Sequence, residues 1–144
     1  MNPKEMSGLE LLQFMVDGKL PAPSISKTIP MVLTIVEEGR CVFEAKADEN
    51  HLNPMGGVHG GFAAVVMDSA TGCAVHTMLE AGIGYGTVDL NVKMCRPIPV
   101  NTLLYGEGKV INMSKSLGIS EATLKDASGK LYAHSTATLK LFPL

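Results

Sequence analysis

Between Gly60 and Leu79 the chain carries twenty residues, of which twelve are apolar, three are glycine and one, Asp68, bears a formal charge. A helix that is apolar on nearly every side is buried on nearly every side, so the rest of the chain must fold around it. A membrane span is the competing use of such a segment, but an acid at its middle, His76 near its end and amphipathic segments after it argue against that. A long central helix wrapped by a curved antiparallel sheet fits better. One small sheet cannot cover every side of the helix, so a second copy of the chain is expected to supply part of the wall. Asp68 then needs its own explanation, because a buried carboxylate is costly unless it is paired, hydrogen-bonded or neutralised.

The remaining segments supply the sheet. Ser7 to Val16 predicts a short helix with a serine cap and an apolar stripe of Leu9, Leu12 and Val16. Pro21, Pro23 and Pro30 mark an extended connector. Met31 to Val36 and Arg40 to Ala47 are rich in branched and apolar residues, and Glu37-Glu38-Gly39 between them signals a hairpin. Four further strands are expected at Thr87 to Met94, Thr102 to Met113, Gly118 to Lys125 and Leu131 to Leu141. In the last, Ala133, Ser135, Ala137, Leu139 and Leu141 face one way and polar residues the other, the pattern of a sheet with one buried face. The fold class is therefore α+β: a sheet of five to six strands, a long helix and an N-terminal helix. The 144 residues form one domain, in which 1–29 are the N-terminal helix and connector.

Composition narrows the partners. A net charge of −2 from 12 basic and 14 acidic residues gives no broad cationic face for nucleic acid or an anionic membrane. Cys41, Cys73 and Cys95 are odd in number and form no CxxC pair, as expected of free thiols in a reducing compartment, with the cytoplasm as the default. The first twenty residues lack the charged head, apolar stretch and small-residue cleavage site of an export signal.

The chemistry lies where the long helix begins. His59-Gly60-Gly61 offers no Ser, Thr, Asp or Asn at the cap, so the first amides are expected to be free for another acceptor. Glycine lets a ligand approach the backbone, and the positive end of the helix dipole favours an oxygen gaining negative charge. A carbonyl-polarising site is one reading; the other is that the glycines serve only turning and packing. Asp68 lies eight residues beyond Gly60, roughly 12 Å along the axis, so one helix cannot bring both groups to one atom. If both act on one carbonyl they come from different subunits. Alternatively, Asp68 is a buried acid satisfied by a hydroxyl of Ser69, Thr71 or Thr87.

The run from His51 through Asn53 to His59-Gly60-Gly61, with Asp68 seven residues beyond the second glycine and Gly86-Thr87-Val-Asp-Leu-Asn91 on the next strand, resembles the hotdog-fold acyl-CoA thioesterases of the phenylacetate-degradation (PaaI) type. The resemblance covers most of the domain from about Pro30 onward. It implies the hotdog fold and hydrolysis of an acyl-CoA thioester carrying an aryl, arylacetyl or medium-chain acyl group. It assigns polarisation of the thioester carbonyl to the Gly60 amide of the facing subunit and the role of nucleophile or general base to Asp68. Asn53 and Thr87 help place the acid, the thioester or the water, and His59 orients the loop or the carbonyl. It implies a homodimer at least, with a homotetramer built as a dimer of dimers. Coenzyme A is then part of the substrate, and no separate cofactor or metal is needed. A thioester suits one carboxylate, since its thiol leaving group has a pKa near 8.5 and needs little help from a general acid. Gly61 and Phe62 are expected at the substrate, with Met55 and Met67 helping to set pocket width. Lys115, Ser116 and Arg96 are candidates to meet the phosphates of coenzyme A.

Other motifs lose on mechanism. Cys73 and His76 lie one helical turn apart without a further paired metal ligand and read as core residues. Gly82-Ile-Gly84-Tyr-Gly86 precedes a strand instead of opening a helix, so it is expected to be a flexible turn. Ser69 lacks a GxSxG elbow. His134 reads as a surface or interface residue. Two alternatives to hydrolysis share the fold: a non-catalytic acyl-CoA sensor, and a dehydratase or hydratase, which would need a histidine placed on the helix beside its acid.

Overall fold

The fold follows from a computed structural model that describes residues 2–144. Helix α1 (Gly8–Val16) begins with a reciprocal cap, in which the Glu10 N–H donates to Ser7 Oγ and the Ser7 N–H donates to the Glu10 carboxylate. The connector contains a single helical turn, α2 (Ile25–Thr28), which its prolines did not announce. Strands β1 (Met31–Glu37) and β2 (Arg40–Ala45) form the expected hairpin, turning at Gly39 with φ of +77°. The long helix α3 (Gly60–His76) follows, and then β3 (Ile83–Met94), β4 (Leu104–Met113), β5 (Leu117–Lys125) and β6 (Leu131–Pro143). The strands form one sheet in the order β1-β2-β4-β5-β6-β3, antiparallel throughout. This is the hotdog arrangement, with α3 lying across β2 to β6.

Missing side chains let the helix sit close to the sheet. A Cβ on Gly106 of β4 would lie 2.8 Å from Val66 Cγ1, one on Gly118 of β5 would lie 2.8 Å from Val75 Cγ1, and one on Gly108 would run into the Ala70 carbonyl. Polar groups under the helix are paired with its backbone: Ser120 Oγ donates to the Thr71 carbonyl at 3.0 Å and Cys41 Sγ to that of Ala70 at 3.2 Å. At the other end, α1 meets α3 where a Cβ on Gly8 would strike the His76 carbonyl.

Three expectations change. The helix ends at His76, not Leu79, because the Thr77 hydroxyl donates to the Ala74 carbonyl while accepting from the Gly39 N–H, which closes the helix against the β1–β2 turn. The glycine run at 82–86 is not a loose turn: only Gly82 turns, with φ of +83°, and Ile83 to Gly86 pair with Pro143 to Lys140. The chain leaves one side of the central helix open, as expected of a single sheet, but the acid expected to be buried lies on that open side. Val66, Met67, Ala70, Ala74 and Val75 are fully buried, whereas Ala64, Val65 and Ser69 are half-buried and Asp68 is exposed. Six strands and α1 cover only part of the helix, and its uncovered stripe carries the single acid.

Candidate active site

Asp68 projects from this open face beside the start of β3, where the Thr87 hydroxyl donates to its Oδ1 at 2.9 Å. Thr87 precedes a β-bulge at Val88, since Thr87 and Asp89 pair with the adjacent residues Leu139 and Thr138. Bulges commonly re-aim a side chain at a site, and this one ends on the hydroxyl that holds the acid. Of the three candidate hydroxyl partners, Thr71 instead donates to the Met67 and Asp68 carbonyls. Asp68 thus keeps lone pairs facing outward from a helix that is otherwise apolar or weakly polar.

The loop before α3 is held by its own side chains. Asn53 Oδ1 accepts from the Met55 N–H at 2.9 Å and the Gly57 N–H at 3.2 Å, and the main chain of Asn53 bonds to Gly57 and Gly56. The oxygen is therefore used in shaping the loop, and the Nδ2 amide is the part left to donate. His51 ties this loop to the connector: the Asp48 N–H donates to its Nδ1 at 3.0 Å, so Nε2 carries the proton and donates to the Thr28 carbonyl at 2.9 Å. Its ring lies 5.3 Å from that of Phe62.

His59 corrects the expectation of an uncapped helix. It occupies the N-cap position, and its Nδ1 accepts from the Gly61 N–H at 2.8 Å. The imidazole does what a serine or aspartate does elsewhere. Gly61 is thereby committed to the cap, whereas the Gly60 N–H meets no acceptor among the described residues. A Cβ on Gly60 would lie 2.9 Å from Met94 Sδ, the end of an exposed, flexible side chain that can move aside.

A single chain does not unite these parts. Asp68 and Thr87 line a cleft of about 720 Å³ bounded by α1, the connector, β1, β2 and β3. His59, Gly61 and Phe62 line a second, of about 680 Å³, beside Lys27 and His51. Gly60 opens onto a third, of about 230 Å³, with Met94, Arg96 and Tyr132. Arg96 donates to the Leu131 carbonyl at the far end of β5 from Lys115 and Ser116, and nine residues of strand, roughly 30 Å, separate those two regions. Phe62 and Met67 are buried in the core and Met55 is exposed, so Met67 borders none of these clefts. Among the described residues no group of three or more His, Cys, Asp or Glu is gathered as for a metal. Among the described residues no helix is long and apolar enough to cross a membrane.

The first cleft has walls that composition did not single out. Gly72, Cys73 and Tyr85 continue from Asp68 along α3 and β3, opposite Leu12 and Met15 of α1. Burial pushes the Cys73 thiol up to about 12, against the hydrogen bond from Tyr85 that favours its ionisation and with the charge of Asp68 adding to the rise, so it is a neutral wall and not a nucleophile. Burial likewise lowers His76, which packs 4.9 Å from the Tyr85 ring. Only the tertiary fold reveals this wall, because α1 is remote in sequence from everything it faces.

Comparison with known proteins agrees with this architecture. The model of the Thioesterase superfamily matches residues 55–133. Acyl-coenzyme A thioesterase 13 of Homo sapiens is 28% identical over 112 residues, which span 77% of this chain and 79% of that protein. A solved phenylacetic acid degradation-related protein from Ralstonia eutropha JMP134 superposes with a TM-score of 0.81 at 29% identity, covering 90% of this chain and 98% of its own. The PaaI protein from the phenylacetic acid degradation operon of E. coli shares the fold, with a TM-score of 0.81 at 16% identity over 94% of this chain and 96% of that one.

Proposed function

Because the chain belongs to the thioesterase superfamily, we propose that it hydrolyses acyl-CoA thioesters to the free acid and coenzyme A, and that Asp68 is the acid that acts. The observation that carries this reading is the exposed Asp68 carboxylate held by Thr87 on the uncovered stripe of α3. The other half of the machinery is the Gly60 N–H at the start of α3, which in a second copy of the chain faces the thioester carbonyl bound beside Asp68. The amide and the helix dipole stabilise the oxygen as it becomes negative. Asp68 either attacks the carbonyl carbon itself or takes a proton from a water that does. In both cases the C–S bond breaks, the thiolate of coenzyme A leaves, and water supplies the oxygen that ends in the free acid. Asn53 Nδ2 and Thr87 position the reacting groups, and His59 keeps the loop and the helix start in register. No cofactor enters.

The dimer this requires has support in the sheet. Strand β3 pairs only with β6 and leaves its other edge open, with Val88 and Met94 exposed on it. An unpaired edge beside an uncovered helix stripe is a surface that a second copy covers. Pairing of such dimers into a tetramer belongs to the same reading. Aryl, arylacetyl and medium-chain acyl groups are the substrates to assay first.

Thiol release from a panel of acyl-CoAs, followed colorimetrically, tests the assignment. Asp68→Asn is expected to lower kcat by about 10² to 10⁴, the range for loss of a general base. Turnover undiminished by that change removes Asp68 from the mechanism, and binding of acyl-CoA without any thiol release favours a sensor.

A further inference from the structure

The cleft that contains Asp68 is larger than an aryl group requires, and its far wall belongs to a part of the chain outside the thioesterase match, which begins at residue 55. From Asp68 the cleft follows Gly72 and Cys73, the next turn of α3, where the absence of a side chain on Gly72 leaves space beside Tyr85: a Cβ there would lie 3.2 Å from Tyr85 Cε2. Facing these residues are Leu12 and Met15, one turn apart on α1, and then Pro23 and Ser26 of the connector. The position of α1 is fixed at both ends. Gly8 accepts no side chain where it meets the His76 carbonyl, and its N–H donates to the Leu79 carbonyl at 2.9 Å, while Leu12 is 3% exposed in the main core. A cleft of about 720 Å³ with Asp68 and Thr87 at one place, Glu44 and Lys46 elsewhere on its lining and mostly apolar walls has the build of a small-molecule site oriented by few polar groups.

We infer that α1 and the connector form the wall of an acyl chamber leading away from Asp68, and that Met15 sets the length of straight acyl chain the enzyme accepts. The inference rests on the proposed role of Asp68 and deepens it by naming the acyl class as an unbranched, flexible chain. Met15 is half-buried, so its side chain borders the cavity without being part of the sealed core. It is also unbranched and adaptable, a side chain that yields to a ligand more readily than leucine does. Cys73 serves the same chamber as a neutral thiol.

The test is kcat/KM for thiol release from straight-chain acyl-CoAs, acetyl to palmitoyl, measured for the full-length protein and for Met15→Ala and Met15→Trp. In the unaltered protein kcat/KM is expected to rise about fourfold per methylene until the chamber is filled, the free energy of burying one CH₂ expressed as a ratio. Met15→Ala moves the optimum to chains longer by about three carbons, matching the heavy atoms removed beyond Cβ, and Met15→Trp moves it to shorter ones. Ser26→Trp, in the connector part of the same wall and outside α1, shortens the optimum independently of how α1 packs. The chain contains no tryptophan, so the emission of Met15→Trp and Ser26→Trp reads chamber occupancy directly when a non-hydrolysable decanoyl-CoA thioether is added. An identical chain-length profile in all variants, with emission unmoved by the thioether, overturns the chamber. An emission response without thiol release from any acyl-CoA supports the chamber and overturns the hydrolytic reading. Silence in both assays overturns both.

Discussion

At the scale of single residues, the site depends on which lone pairs and N–H groups remain free once the local structure is made. Asn53 Oδ1, the Gly61 N–H and one oxygen of Asp68 are already engaged, by the loop, by His59 and by Thr87. The Gly60 N–H, Asn53 Nδ2 and the second Asp68 oxygen are not, and these point to carbonyl chemistry. Thr87→Val removes the hydrogen bond to a charged acceptor and is expected to lower kcat by about ten- to a hundredfold, whereas Thr87→Ser, which restores the hydroxyl, recovers most of it. Equal activity of the valine and serine variants would assign Thr87 to the strand alone. His59→Ala deletes a helix cap and should cost about 1 kcal/mol, seen as a melting temperature lower by about 2 to 4 °C, while His59→Asn keeps an acceptor and most of the stability. Asp68 was legible in the sequence because it is the lone charge in its helix. The capping role of His59 was not, since imidazole is an uncommon cap and only the folded loop brings its Nδ1 to Gly61.

At the scale of elements, alternation carried the reading where side chains mark the buried face and failed where glycine does. Strand β6 displays Ala133, Ser135, Ala137 and Leu139 inward as its pattern suggested. Strand β4 looks irregular because its inward positions after Leu104 are Gly106 and Gly108, which hydropathy does not score as core. The same blindness turned Ile83 to Gly86 into an expected turn, although their glycines make room for Phe142 of the paired strand and for Leu144 just beyond it. Those glycines are packing devices. Gly108→Ala drives a methyl group into the Ala70 carbonyl of α3 and is expected to destabilise the fold by about 2 kcal/mol or more, because backbone cannot yield as a side chain would. Chemical denaturation checks this, and an alanine variant as stable as the parent would mean the helix stands farther from the sheet than described.

At the scale of the whole molecule, the apolar helix predicted an enclosure that one chain leaves unfinished. The uncovered stripe of α3, the open edge of β3 and the separation of Asp68 and Gly60 into different clefts are three aspects of one incomplete surface. Sequence composition implied that one sheet would leave part of the helix uncovered, because it counts apolar faces, and the single chain does so. It placed Asp68 in the interior for the same reason, and missed that the acid marks the stripe the chain leaves uncovered.

The most direct measurement of this account is complementation between two inactive variants. Gly60→Pro removes the N–H at the first helical position, where proline is best tolerated, and follows a His59 whose ψ of 134° suits it. Asp68→Asn removes the acid. In a two-fold dimer, mixing equal amounts after denaturation and refolding makes half the dimers mixed, each with one intact site, so activity should return to about a quarter of that of the unaltered protein. Mixed dimers demonstrated by native mass spectrometry that stay inactive would contradict a site shared between the helix start of one subunit and the acid of the other.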